Sequence, residues 1–240
     1  MGPDRVWLSA MSLTYAIPDL HGRFDLLQLA IARITEHSGG RCSTVVTLGD
    51  YVDRGPNSRQ VITRLMDWRS ESLTLVALKG NHEAMMWETC SNLAEMSWWI
   101  KNGGDRTLAS YGEMSGEKLN PRVIPATHLQ WIANLALVHV DQHRVFVHAA
   151  VDPNAPLAQQ SEQTLLWKRY PSGFALGHGN RHVVHGHHAD SSAPIVTPGK
   201  TNLDGRAWNT GRLVIGVFED DRPGGASEFL EIIGPRDASA

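Results

Sequence analysis

Cysteine is scarce in this chain: Cys42 and Cys90 are the only two in 240 residues, and they form no Cys-x-x-Cys pair. A disulfide framework and a zinc ribbon are both unsupported, which fits a reducing cytoplasm. Positive charge is not in excess either. With Lys+Arg 22 against Asp+Glu 25 the net charge is -3, so a broad electrostatic grip on nucleic acid or acidic lipid is not expected, although a local basic pocket stays open. No apolar run approaches bilayer-spanning length. Residues 6–17 are moderately apolar, but Ser9, Ser12 and Thr14 interrupt them and Asp19 follows. They read as a strand rather than a signal peptide, and Met11 is a candidate start. Solenoid repeats and low-complexity tracts are also missing. What remains is a soluble, cytoplasmic protein with no nucleic-acid or membrane partner.

Hydrophobic residues make up 42% of the chain, enough for one substantial core and short for two, so residues 1–240 are expected to form a single domain. Residues 13–17 read as a buried strand, after which Phe24, Leu27, Ile31 and Ile34 recur at helical spacing. The pattern repeats twice. Residues 44–48 precede a helix with Val61, Ile62, Leu65 and Met66 on one face, and residues 73–78 precede a helix carrying Met85, Met86 and Trp87, expected as core. Such alternation builds a parallel sheet, with functional groups gathered beyond the carboxyl ends of its strands. Residues 92–125, with Trp98, Trp99 and Gly103-Gly104, suggest an inserted helical cap. Farther on, residues 137–140 and 144–147 read as a hairpin and 182–184 as a short strand. Residues 201–203, 213–218 and 229–233 alternate like antiparallel strands, so a second sheet is expected.

Each of the first three strands ends in a polar cluster: Asp19-Leu20-His21-Gly22, Gly49-Asp50-Tyr51-Val52-Asp53-Arg54-Gly55, and Gly80-Asn81-His82-Glu83. Asp19, His21, Asp50 and Asn81 are oxygen and imidazole donors suited to divalent cations. Arg54 and His82 beside them suit an anionic group and its departing oxygen. Two cations a few ångströms apart need a shared carboxylate, and Asp50 is the natural bridge. His148 and His187, each following an apolar run, are candidates to complete the second ion. Taken singly these residues would be turn and cap residues; their conjunction at three successive strand ends favours a site.

In order and spacing these clusters resemble the metallophosphoesterase superfamily, and specifically its phosphoprotein-phosphatase branch in compact bacterial and phage form. The likeness extends to Val147-His148-Ala149 and His185-Gly186-His187, covering about residues 13–218. It implies an α/β fold in which a two-sheet β-sandwich of mixed strands is flanked by helices, with the cap inserted at about 92–125. It implies Asp19, His21 and Asp50 on one metal, and Asp50, Asn81, His148 and His187 on the other. The ions would be manganese, iron or zinc, manganese foremost. His82 would be the acid, paired with Asp53, while Arg54, Asn81 and Arg169 would hold phosphate. The chain departs from the pattern where Ala150 replaces glycine, Lys79 an arginine and His188 a threonine, and where Asp204-Gly205-Arg206-Ala207 replaces Asp-Thr-Gly-Ala. The Cβ of Ala150 would have to fit a tight bend.

The implied reaction is hydrolysis of a phosphomonoester, chiefly phosphoserine or phosphothreonine in a protein or peptide, by in-line attack of a hydroxide bridging the ions. Small phosphoesters would serve as well. One alternative is symmetrical dinucleoside polyphosphate hydrolysis, as on diadenosine tetraphosphate, against which Asp53 argues because such relatives tend to lack it. Another is a metal-binding scaffold without catalysis.

Overall fold

The structure is a computed structural model and describes residues 12–92, 95–112 and 119–236. The expected beginning of the first strand at Val6, the candidate start Met11 and parts of the cap lie outside these residues. Three strand–helix passes open the chain: β1 (Leu13–Ile17), α1 (Phe24–Ser38), β2 (Ser43–Thr47), α2 (Ser58–Met66), β3 (Leu73–Ala77) and α3 (Asn81–Ser91). The β-branched residues of β1 and β2 suit a sheet covered on both faces. The cap contributes α4 (Met96–Trp99), a kinked segment (Ile100–Gly104) broken at Gly103, whose φ is 99°, and α5 (Asp105–Ser110), and α6 (Ala126–Ala133) follows. After it come β4 (Val138–Val140), β5 (Arg144–Val147), α7 (Glu162–Trp167), β6 (His182–His185), β7 (Ile195–Val196), β8 (Lys200–Asn202), α8 (Ala207–Thr210), β9 (Arg212–Glu219) and β10 (Glu228–Ile233).

These strands form two mixed five-stranded sheets, ordered β10-β9-β1-β2-β3 and β4-β5-β6-β8-β7. The two-sheet expectation holds, with one correction to its membership. Of the three late segments, only β8 joins the second sheet, parallel to β6. The other two, β9 and β10, extend the first sheet as an antiparallel ribbon on the free edge of β1. The reason is complementary burial: β9 is buried along nearly its whole length and so requires cover on both faces.

Alternation along β1 divides its residues between two cores. Tyr15 and Ile17 face the helices, packing with Leu27 and Ile34 of α1 and Val61 and Leu65 of α2. Ala16 faces the other sheet, where it meets Val46, Phe146, Val184 and Phe218. Phe146 and Phe218 meet edge to face with centroids 5.6 Å apart, and truncating either to Ala would cost about 3–5 kcal/mol. A third cluster, Val145, Val147, Val183 and Leu165, packs α7 on the outer face of the second sheet.

Register then fixes where the loops emerge. Ile17 pairs with Thr47 and Thr47 with Ala77, all parallel, while Val147 pairs with His185 in the second sheet. The segments bearing Asp19, Asp50 and Asn81 therefore leave one edge of the first sheet together. Those bearing His148 and His187 leave the adjacent edge of the second.

Candidate metal centre

The first two loops are sewn together by backbone bonds: the N–H groups of Leu20 and His21 donate to the Asp50 carbonyl at 3.0 and 2.8 Å, and Gly22 N–H donates to Tyr51 O at 2.8 Å. The second and third loops touch even more closely. A Cβ on Gly49, at φ +96, would lie 2.5 Å from the Gly80 nitrogen, so this crossing requires glycine. Among the described residues, the non-glycine positions at positive φ are His21, Asp50, Asp53, Arg54, His187 and Arg206. Five of these six are residues singled out from the sequence. A left-handed backbone is costly for such residues and persists where surrounding contacts over-determine it, as at functional sites.

Asp50 stands at the centre. One carboxylate oxygen, Oδ2, lies 3.5 Å from His21 Nε2, and the other, Oδ1, lies 3.4 Å from His148 Nε2. Donor atoms gather in two groups sharing Asp50, namely His21, Asp50 and His82, and Asp50, His148 and His187, each within 4.8 Å. Asn81 Oδ1 is 2.8 Å from His148 Nε2. Asp19 enters from the far side, where its carboxylate accepts the His187 N–H at 3.1 and 3.2 Å. The structure thus brings all six expected ligands to one rim, and His82 Nε2 joins the His21 group, 3.9 Å from Asp50.

This donor set fits divalent cations on its own chemistry. His21 Nδ1–H donates to Val52 O at 2.9 Å and His148 Nδ1–H to Leu48 O at 2.8 Å, which leaves each Nε2 lone pair turned inward as a ligand. Burial, followed by nearby cations or imidazoles, holds both rings well below the usual histidine pKa and therefore neutral. Burial and a neighbouring carboxylate push Asp19 and Asp50 well above the usual carboxylate range; the neighbour is Asp204 for Asp19, and Asp19 for Asp50. Two cations would neutralise these crowded carboxylates and occupy the lone pairs.

Beside the Asp50 cluster, His82 Nδ1 is 2.6 Å from Asp53 Oδ2. Arg54 spans two rings, with Nη1 2.7 Å from His21 Nε2 and Nη2 3.0 Å from His82 Nε2. Burial and then Arg54 lower the His82 pKa well below its ordinary value. Burial raises Asp53 to about 8, against the opposing influence of hydrogen bonds from Thr107 and Trp99. Arg169 follows α7, and its charge helps lower His187, second to burial.

Several residues in this arrangement carried no assigned role in the sequence. Glu83 accepts the backbone N–H groups of Asp50 at 2.8 Å, Tyr51 at 2.8 Å and Gly80 at 2.9 Å, locking the second loop to the third. Its signal was the Gly-x-x-Glu spacing of a capping box at the start of α3. Trp99 Nε1–H donates to both Asp53 oxygens at 3.0 Å, and Thr107 Oγ1–H donates to Oδ1 at 2.7 Å. Both come from the cap, where no local pattern announces them. Asp204 and Trp208 also border the site: Asp204 through its charge on Asp19, and Trp208 edge-on to His21 with ring centroids 6.5 Å apart.

Three expectations change on contact with the structure. Met85 and Met86 are core, but Trp87 is 40% exposed, because α3 packs only one side and Trp87 falls on the other. Ala150 is fully buried without a positive φ, so its bend does not need glycine. Lys79 is drawn off to the carboxyl end of α6, where its ammonium donates to Ala133 O at 3.3 Å.

A family model described as calcineurin-like phosphoesterase matches residues 14–210. The chain is 30% identical over 92 residues to serine/threonine-protein phosphatase 2 of Escherichia coli, which is 38% of each protein. It is 25% identical over 142 residues to the symmetrical bis(5'-nucleosyl)-tetraphosphatase of Stutzerimonas stutzeri, or 58% of this chain and 45% of that one. These matched stretches span less than half the length of either relative. A solved structure provisionally named a diadenosine tetraphosphatase superposes with a TM-score of 0.68 at 19% identity, covering 94% of this chain and 95% of that one. At that identity the likeness speaks to fold. No described helix is long and apolar enough to cross a membrane.

Proposed function

The chain belongs to the calcineurin-like phosphoesterase family, and from that premise we propose that it is a metal-dependent phosphomonoesterase acting on phosphoserine or phosphothreonine in proteins. The observation that carries this reading is the buried His82–Asp53 pair at 2.6 Å. A serine or threonine alkoxide is a poor leaving group and needs a proton as the P–O bond breaks; Asp53 grips His82 through Nδ1 and leaves Nε2 for that transfer. In a dinucleoside polyphosphate the departing group is itself a phosphate and needs less help.

Asp19, His21, Asp50, Asn81, His148 and His187 would hold two divalent cations, for which manganese, iron or zinc suits the donors. When bound, such ions supply Lewis-acid charge and lower the pKa of water to near neutrality. Around them the chain's own groups set the geometry. Arg54, Asn81 and Arg169 hold the phosphoryl oxygens, and Glu83 keeps the Asp50 backbone in place. A phosphate dianion arriving between Arg54 and His82 draws the guanidinium off the imidazole and favours the imidazolium. That change offsets the burial and the Arg54 charge that keep His82 low in the free protein.

Similarity to the Stutzerimonas stutzeri protein supports a second reading, hydrolysis of symmetrical dinucleoside tetraphosphates. A manganese-supplemented panel of phosphopeptide, aryl phosphate, diadenosine tetraphosphate and cyclic nucleotide separates the two, with Asp50→Asn as control. Phosphopeptide turnover should dominate; faster turnover of diadenosine tetraphosphate would transfer the assignment to the second reading.

A further inference from the structure

The second sheet carries a cleft of about 350 Å³ whose lining includes Tyr170, Phe174, His185, His188, Asp190 and Lys200. Register explains why its polar residues meet. Lys200 opens β8 opposite Val183 of β6, and His185 pairs with Asn202. Residues two apart along a strand share a face, so Lys200 and His185 project to the side on which Val183 packs with Leu165 of α7. The chain after α7 supplies the facing wall. Tyr170 and Phe174 stack with ring centroids 5.0 Å apart and planes 4° from parallel, and Tyr170 meets His185 edge to face at 5.3 Å. This wall is preformed: Gly199 N–H donates to Ala175 O at 2.9 Å, and a Cβ on Gly199 would collide with the Gly177 nitrogen.

Two buried side chains reach this cleft with polar atoms unpaired. Lys200 is 7% exposed, and its ammonium lies 5.1 Å from the Tyr170 ring centroid. The aromatic face attracts that charge without neutralising it. Burial lowers the ammonium pKa with no carboxylate opposing, and Lys200 makes no ion pair among the described residues. Asp190, the carboxylate in the lining, is engaged within its own turn, accepting the Ser192 N–H at 2.9 Å and the Ser192 hydroxyl at 2.7 Å. His185 is 1% exposed. Its Nδ1–H donates to Gly186 O at 2.9 Å, which makes Nε2 a bare acceptor, and Nε2 has no hydrogen-bond partner among the described residues. A buried cation without a counter-ion and a buried acceptor without a donor both favour a ligand that supplies what each lacks.

We propose that this cleft binds a small carboxylate that bears a hydroxyl or an amide N–H on the adjoining carbon, together with an apolar side group. The carboxylate pairs with the Lys200 ammonium, the neighbouring donor satisfies His185 Nε2, and the side group lies against Phe174. One cation in the wall matches the single charge of a carboxylate, whereas a phosphate dianion would bring a second charge with no partner to meet it. At about 350 Å³ the space lies at the small end of ligand pockets. This chemistry has two sources, a free α-hydroxy acid or the carboxyl terminus of a peptide. The site is separate from the proposed phosphate chemistry, because no residue of its lining is among the metal ligands or phosphate-holding groups.

Calorimetry on the full chain tests this without turnover. Phenyllactate and N-acetylphenylalanine stand for the two sources, and the tighter binder identifies the source. Phenylpropanoate, which lacks the donor, should bind about two- to tenfold more weakly than phenyllactate. The methyl ester of phenyllactate, which lacks the charge, should bind at least about tenfold more weakly. Lys200→Met keeps the stem and removes the ammonium, so it should lose about tenfold or more for both acids, and Lys200→Arg should restore part of the loss. His185→Phe should abolish the preference for phenyllactate over phenylpropanoate. Should His185→Phe fail to fold, Lys200→Met decides alone: phenyllactate should raise the Tm of wild type and leave that of Lys200→Met unmoved. Affinity should be the same with and without manganese. Failure of both acids to bind, binding that Lys200→Met leaves unchanged, or binding that requires manganese overturns the site.

Discussion

His82 and Asp53 are buried together with Nδ1 and Oδ2 2.6 Å apart, yet they stand on separate loops, 29 residues apart in sequence. A hydrogen bond so short between two side chains without solvent access fixes the ring's orientation and dictates which nitrogen faces the substrate. His82→Ala should therefore cut kcat by about 10²–10⁴ on an alkyl phosphate, and by much less on para-nitrophenyl phosphate, whose phenolate leaves without help. Asp53→Asn should show the same leaving-group dependence in weaker form. Steady-state rates on the two substrates measure this, and equal losses on both would remove His82 from the role of proton donor.

Thr107 ties the cap to the same pair. Its hydroxyl donates to Asp53 Oδ1 at 2.7 Å and accepts the Asp53 N–H at 2.8 Å, all in the interior. Thr107→Val preserves shape and removes one partner from each group, while the Asp53 N–H keeps Ser58 Oγ at 3.1 Å and Oδ1 keeps the Trp99 indole N–H at 3.0 Å, so stability should drop by about 0.5–1.5 kcal/mol. Urea unfolding reports the drop, and an unchanged midpoint would mean that the carboxylate finds other donors.

The strand-end clusters were legible because each packs several chemically distinctive residues into a few positions, immediately after a run whose periodicity identifies a strand. Register did the rest, since three parallel strands in step deliver their loops to one edge. Partnerships made across the fold left no such trace. Trp99 and Thr107 lie 46 and 54 residues from Asp53, and nothing in their local sequence distinguishes them from core residues. Sheet membership was hidden in the same way: the apolar run in β9 does not say which strand it will lie beside, and only its pairing with β1 assigns it to the first sheet. Trp87 was misread because helical spacing identifies a face without saying how much of the helix is covered.

Buried histidines should make the metal-free protein sensitive to acid. Burial is the largest cause that holds His185 at about 3 and His187 at about 4, whereas an unfolded histidine titrates near 6.5. Between those values the unfolded chain binds more protons, so stability rises with pH. The contribution is complete above about pH 6.5 and is lost as pH falls toward 4 for His187 and toward 3 for His185, at up to about 1.4 kcal/mol per pH unit for each group. Asp53 and Glu83, raised by burial to about 8 and about 7, act with the opposite sign, their contribution being lost as pH rises. Comparing wild type with His187→Gln isolates the histidine effect: with chelator present, urea midpoints from pH 7 to pH 5 should fall less steeply in the variant. Parallel slopes would show that His187 does not stay neutral in the fold.

Asp50 presents one oxygen to His21 and the other to His148, at 3.5 and 3.4 Å, so it is the one carboxylate common to both donor groups. Asp50→Asn tests this position with little structural disturbance. Asparagine tolerates the positive φ of 53° found here, and its amide oxygen can still accept the His82 N–H that Asp50 Oδ1 accepts at 3.0 Å. Burial and the neighbouring Asp19 and Glu83 make the ionised form costly without a cation, so the metal-free variant should melt no lower than wild type. Its manganese stoichiometry, read by calorimetry, should fall from about two per chain to one or none, because neither ion keeps its shared anionic ligand. His148→Ala, which touches only one of the two groups, should lose a single equivalent. Retention of both equivalents in Asp50→Asn would show that the two donor groups bind independently and that Asp50 bridges nothing.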